Sequence, residues 1–152
     1  MKKIGVIMLI VGIALLSGCL SQKKLDNPSL KAFRKQVSKA IPGITSIRTV
    51  AQPTHIVFRY SFKKEPDIKV QMDIVKRTDD IIRTEPFKTE LFESYFKLYF
   101  KEERYTPNIT IPMDTDGDGV ANLEYFTVLG KDGDWSWYYS DYKNMAKEVA
   151  LP

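Results

Sequence analysis

The chain reads as an α+β domain, a small antiparallel sheet of about five strands with two to three helices packed on one side. Three observations lead there. Apolar residues recur with helical spacing over residues 27–41 and 87–104, alternate with polar ones over 54–62, and return in short β-rich runs bounded by turn residues after 108. Length and composition agree. The chain has 152 residues, 43% of them apolar and 28% charged, which suits one domain with an ordinary core and leaves no room for several. One Cys and one His exclude a zinc finger, a Cys/His cluster and a paired-cysteine redox site.

The elements follow in order. Asn27 has the chemistry of a helix N-cap and Pro28 that of a first helical residue. Leu30, Phe33, Val37 and Ile41 then keep the 3.6-residue period until Pro42-Gly43 ends it. The outer face of this helix carries Lys31, Arg34, Lys35 and Lys39. It reads either as a solvated face or as one turned toward anionic lipid. Residues 44–50 form a weak strand and 54–62 a strong one, with Gln52-Pro53 as the turn between them. In the strong strand Ile56, Phe58, Tyr60 and Phe62 alternate with a more polar face that holds His55.

Residues 66–82 support two periods, and their length favours a helix beginning after Pro66. The helix over 87–104 is apolar through Phe87, Leu91, Phe92, Tyr95, Phe96, Leu98, Tyr99 and Phe100. At ~100° per residue these cover about 220° of its circumference, more than the ~100° one sheet requires. The helix is therefore either sandwiched or a docking face for a partner. Strands are expected over 108–113, 120–129 and 135–139, the last two joined by a hairpin at Gly130-Lys131-Asp132-Gly133-Asp134. In the final strand Trp135, Trp137 and Tyr139 share one face, while Tyr138 and Tyr142 share the other. Such rows fill cores or stack on sugar rings.

The amino terminus carries an address. Lys2 and Lys3 precede an uncharged run over residues 4–16, too short to cross a bilayer comfortably, which takes ~20 residues. The run ends in Leu16-Ser17-Gly18-Cys19. This stretch resembles the precursors of bacterial lipoproteins, whose lipobox is an aliphatic residue, two small residues and a cysteine. The resemblance implies cleavage after Gly18, a diacylglyceryl thioether on Cys19 and acyl chains such as palmitate at the mature end. Two or three chains hold a bilayer far more firmly than one, at ~0.8 kcal/mol per buried methylene.

The expected organisation is a signal peptide over 1–18, a lipidated Cys19 with a polar tether to residue 27, and one domain over 28–152. Eight tether residues reach at most about 29 Å, which keeps the domain near the headgroups. Losing Lys2 and Lys3 leaves 21 of the 23 basic side chains against 19 acidic ones, a balance too even for a nucleic-acid partner.

One constellation carries chemistry. In Asp114-Thr115-Asp116-Gly117-Asp118-Gly119-Val120-Ala121-Asn122, three carboxylates alternate within five residues. That spacing suits Ca²⁺, a hard cation that takes 6–8 oxygens, with Gly119 permitting the turn that brings the Val120 carbonyl inward. The loop starts like an EF-hand, but Tyr125 stands where the bidentate Glu belongs. It more closely resembles the calcium hairpins of FG-GAP repeats. That resemblance implies ligation by Asp114, Asp116, Asp118, the Val120 carbonyl and position nine. Position nine is Asn122 here rather than Asp, and Glu124, on the same strand face, is the compensating acid. The alternative is an Asp/Gly-rich turn without an ion.

No nucleophile elbow, phosphate loop, zinc-protease helix or dinucleotide fingerprint occurs. The expected protein is therefore a non-catalytic, membrane-anchored extracytoplasmic binding or accessory module. The alternatives are a subunit of an envelope complex docking through the helix over 87–104, and an envelope hydrolase acting through carboxylates; the long helix carries paired acids, Glu90 with Glu93 and Glu102 with Glu103, but helical surfaces do so routinely.

Overall fold

The computed structural model describes residues 22–99, 105–131 and 134–151. The lipobox, residues 100–104 of the expected long helix and the hairpin tip at 132–133 lie outside them. The elements are β1 (Lys23–Lys24), α1 (Pro28–Ala40), β2 (Ile44–Gln52), β3 (His55–Phe62), α2 (Ile68–Ile82), α3 (Phe87–Phe96), β4 (Asn108–Asp114), β5 (Leu123–Leu129), β6 (Trp135–Ser140) and β7 (Lys147–Val149). The α+β expectation holds, with one correction of number and one of pairing. Among the described residues the sheet has seven strands rather than five, in sequence order from β1 to β7. All neighbours are antiparallel except β3 and β4, which are parallel. The connection between those two strands contains α2 and α3, and a crossover of that length lets β4 start at the same end as β3.

Local chemistry explains the boundaries. The Asn27 side chain accepts from Leu30 N at 2.8 Å, and α1 begins at Pro28 as expected. Asp67 caps α2 in the same way, accepting from Val70 N at 2.9 Å, so residues 68–82 are helical. Pro53 and Thr54 form a two-residue turn, and Gln52 pairs with His55 across it. The strand expected from residue 120 begins only at Leu123. Val120 N donates to Asp118 Oδ1, and the Asn122 amide oxygen accepts from Thr115, so these groups serve the loop instead of a ladder.

The two added strands lie at the sheet edges. β7 pairs with β6, and β1 pairs with β2 through Lys23 opposite Ala51 and Lys24 opposite Val50. The latter corrects the tether. Leu25 is 1% exposed and sits in the core, so the body begins at Lys23 rather than after residue 27.

Among the described residues, the three helices pack on one face of the sheet. That face presents Phe58 and Tyr60 of β3, Ile109, Ile111 and Met113 of β4, Tyr125 of β5 and Trp137 of β6, all buried. Phe33 of α1 meets Phe58 edge-on at 5.9 Å and Phe87 of α3 at 6.0 Å. α2 is fastened through polar groups. Gln71 Oε1 accepts from the Tyr125 hydroxyl at 3.0 Å, and Asp79 Oδ1 accepts from Trp137 Nε1 at 2.8 Å. The helix expected over 87–104 ends at Phe96, where the Lys97 N–H bonds back to Glu93 O and residues 97–99 turn away. Its apolar surface is spent inside: Phe87, Leu91 and Tyr95 are buried, Phe92 and Phe96 pack against the core, and so do Leu98 and Tyr99 just after it. Through residue 99, the sandwiched arrangement is the one present.

Candidate cation loop and uncovered sheet face

Among the described residues, the opposite face of the sheet carries no helix. Cross-strand register sets its side chains in rows. Val50, Val57, Thr110, Phe126, Tyr138 and Glu148 form one row across six strands. Alongside it runs Arg48, opposite Arg59, and further on Pro112, Glu124 and Ser140. His55, expected on the polar face, lies here. Phe126 and Tyr138 stack with centroids 5.7 Å apart and planes 19° from parallel. A cavity of about 310 Å³ opens between Gln52, His55, Thr110, Glu124 and Phe126.

Glu124 is the electrostatic centre of this face. Burial raises its carboxyl above the ordinary value, and a hydrogen bond from Tyr142 opposes that rise only partly. Tyr142 has a φ of 59°, the left-handed region that is rare for a residue with a side chain. Burial first, then the charge of Glu124 and their hydrogen bond, raises its phenol, while Arg59 acts in the opposite sense. Burial also lowers His55, whose Nδ1 lies 2.7 Å from Thr54 Oγ1.

The acidic loop closes the end of the β4–β5 pair. Asn122 N donates to Met113 O at 2.9 Å. Gly117 and Gly119 have φ of 82° and 90°, so both turns require the freedom glycine has. The Asp114 carboxylate accepts from Gly117 N at 2.7 Å and from Gly119 N at 3.1 Å. Burial would raise its carboxyl, but these backbone bonds outweigh it and the net shift is downward. Asp114, Asp116 and Asp118 each offer an oxygen within 4.8 Å of the others. Asp114 is buried, and the other two are exposed.

Not every residue of the expected ligand set joins them. The Asn122 amide oxygen accepts from Thr115 N at 2.6 Å and Thr115 Oγ1 at 3.0 Å, while its Nδ2 donates to Asp116 Oδ2 at 3.2 Å. In this rotamer the amide braces the loop rather than facing the cluster with oxygen. Glu124 is engaged with Tyr142 and lines the cavity on the sheet face. The Val120 side chain is 65% exposed, as it would be for a residue contributing only its backbone. Three carboxylates with unused lone pairs fit a hard divalent cation. Asn122 would fit after its amide turns over.

No family model, curated protein or solved structure matches the chain. Its reading therefore rests on its own residues.

The aromatic row of the last strand divides as its alternation requires. Trp137 is core, Trp135 and Tyr139 pack against the core, and Tyr138 stands on the uncovered face. Of the paired acids, Glu90 accepts from Ser29 Oγ of α1, and Glu102 and Glu103 lie outside the described residues. Sequence reasoning missed the grouping of Arg59, Glu124 and Tyr142. Its one sequence signal was the polar half of the β3 alternation, where His55 and Arg59 sit two turns of pleat apart.

Proposed function

We propose that the chain is a lipid-anchored, non-catalytic binding or accessory module on the extracytoplasmic side of a bacterial membrane. The observation that carries this reading is the spacing between the lipobox and the body. Cys19 stands four residues before Lys23, the first residue of the sheet. Four residues span at most ~14 Å. An acylated Cys19 thus holds the body at the headgroups, where a bound ligand or partner would lie at the membrane surface. Among the described residues no helix is long and apolar enough to cross a bilayer. The uncovered sheet face, with its cavity, stacked aromatic pair and charged row, is the surface available for binding.

Intact mass measurement of the native polypeptide tests the anchor. The expected species lacks residues 1–18 and carries diacylglyceryl and acyl mass on Cys19, and Cys19→Ser should stay unprocessed. A retained leader or a free thiol in the native protein refutes the reading.

The acidic loop belongs to the same proposal as a structural Ca²⁺ site, with Asp114, Asp116 and Asp118 as its carboxylate ligands. Bound there, the ion supplies charge neutralisation and cross-links the two strands. Extracellular sites of this kind have Kd values of ~10⁻⁴–10⁻³ M. The mature protein should melt several degrees higher in millimolar Ca²⁺ than in EDTA, and Asp116→Ala should abolish the difference. Equal melting temperatures would exclude the ion.

A further inference from the structure

We infer that the outer face of α1 is the membrane-facing surface of the body, seated on anionic lipid headgroups, and that the uncovered sheet face consequently points away from the bilayer. The inference rests on the lipid anchor proposed above and adds the orientation of the body on it.

Three observations support it. First, residues 28–40 contain four basic side chains and no acidic one. Lys31, Lys35 and Lys39 follow at intervals of four, a stripe ~12 Å long at 1.5 Å per residue. Like charges four apart destabilise a helix; Lys31 near the amino end opposes the helix dipole and Lys39 in the last turn favours it, so the cost to the helix lies in the repulsion along the stripe.

Second, the stripe is turned outward and is only partly neutralised. Leu30, Phe33 and Val37 are buried under α1, whereas Lys31, Lys35 and Lys39 are exposed. At ~100° per residue, Lys35 stands about 160° around the helix from both Phe33 and Val37. Asp26 serves Arg34 at 2.7 Å, Lys24 at 3.2 Å and Lys31 at 3.7 Å, one carboxylate among three cations. Lys35 and Lys39 have no acidic partner among the described residues.

Third, the stripe lies where the anchor can deliver it. β1 joins Cys19 to α1 within a few residues and is itself exposed through Lys23 and Lys24. Because α1 covers the sheet through Phe33 on Phe58, its lysines and the row from Val50 to Glu148 occupy opposite sides of the body. Basic side chains beside a membrane anchor are attracted by anionic headgroups within a Debye length of the surface.

The experiment uses the full acylated chain on vesicles of phosphatidylcholine alone, and on vesicles in which about a third of the lipid is phosphatidylglycerol. Acylated Cys19 does not react with thiol reagents, so a nitroxide can be placed at Ser38→Cys beside the stripe, or at Glu148→Cys on the uncovered face. The readout is collision with a water-soluble paramagnetic relaxer. The label at Ser38→Cys should become several-fold less accessible on the anionic vesicles, and the label at Glu148→Cys should not change. About 1 M salt, where the Debye length is ~3 Å, should restore access at the first position. So should Lys31→Glu, Lys35→Glu and Lys39→Glu combined, with the label at Ser38→Cys retained. Equal access at Ser38→Cys on both lipids, or protection at Glu148→Cys instead, overturns the orientation. Failure of the chain to float with phosphatidylcholine vesicles refutes the anchor, a separate result.

Discussion

Glu124 shows how one half-buried carboxyl marks a surface. It is the acid of the row that runs from Arg48 and Arg59 through Pro112, and desolvation raises its pKa above the ordinary 4.5. The sign for stability follows. A carboxyl whose folded pKa exceeds its unfolded one favours folding while it is protonated. That contribution is complete below the unfolded value and is lost as pH rises through the folded value. Glu124→Gln keeps an acceptor for the Tyr142 hydroxyl and removes the charge. It should therefore melt higher than the parent at about pH 8, and the difference should vanish by about pH 4. Thermal melts across that range would measure it. A variant less stable at the upper pH would show that the carboxylate is stabilised where it sits. Arg48 and Arg59 contribute the opposite peculiarity, like charges directly across an antiparallel pair, which is an unfavourable placement without an anionic neighbour.

α2 illustrates how an element is fixed by polar groups as much as by apolar ones. Its buried residues include Gln71, Thr78 and Asp79 beside Ile74, Val75 and Ile82. Asp79 joins it to β6 through Trp137 Nε1 and holds Arg83 Nε at 2.8 Å, an interaction that raises the Arg83 pKa. Asp79→Ala leaves the indole N–H of a residue 2% exposed without an acceptor. The expected cost is about 1–3 kcal/mol, read as a lower urea midpoint at unchanged slope. Asp79→Asn retains an acceptor for Trp137 and should recover most of that loss. An unchanged midpoint in Asp79→Ala would mean that the helix is held by its apolar contacts alone. Both periods read over residues 66–82 were present in the sequence. The N-cap at Asp67 and the length of the segment resolve them as a helix.

For the body, the decisive feature is where it begins. Leu25 N donates to Thr49 O at 3.0 Å, and the Leu25 side chain is in the core. The Leu25 amide should exchange with solvent far more slowly than an unstructured tether would, and at a rate near that of β2. Exchange at the random-coil rate would return residues 23–25 to the tether and lengthen the reach from Cys19. In the proposed orientation, with β1 in place, the thickness of one helix-on-sheet body would separate the membrane from the candidate binding face.

Local patterns sufficed for much of this protein. The basic start, apolar run and Leu16-Ser17-Gly18-Cys19 carry the resemblance to a lipoprotein leader, because a processing signal of that kind is read along the chain. Asn27-Pro28, the alternation through Ile56, Phe58, Tyr60 and Phe62, and the Asp/Gly spacing at 114–119 likewise carry their meaning within a few residues, and the helices, central strands and acidic loop appear where those patterns lie. Pairing between distant segments has no such local signature. A two-residue Lys-Lys strand has no period to read, and it exists because β2 offers it an edge. The parallel β3–β4 pair depends on the length of the helical crossover, which places Arg59 beside Pro112 and, one strand on, Glu124. The Asn122 amide oxygen accepts from Thr115, and Glu124, the compensating acid on the strand face, meets Tyr142, contacts that no local pattern announces. Strand register is set by hydrogen bonds between residues far apart in the chain, and a shift of one position would send each of these side chains to the other face.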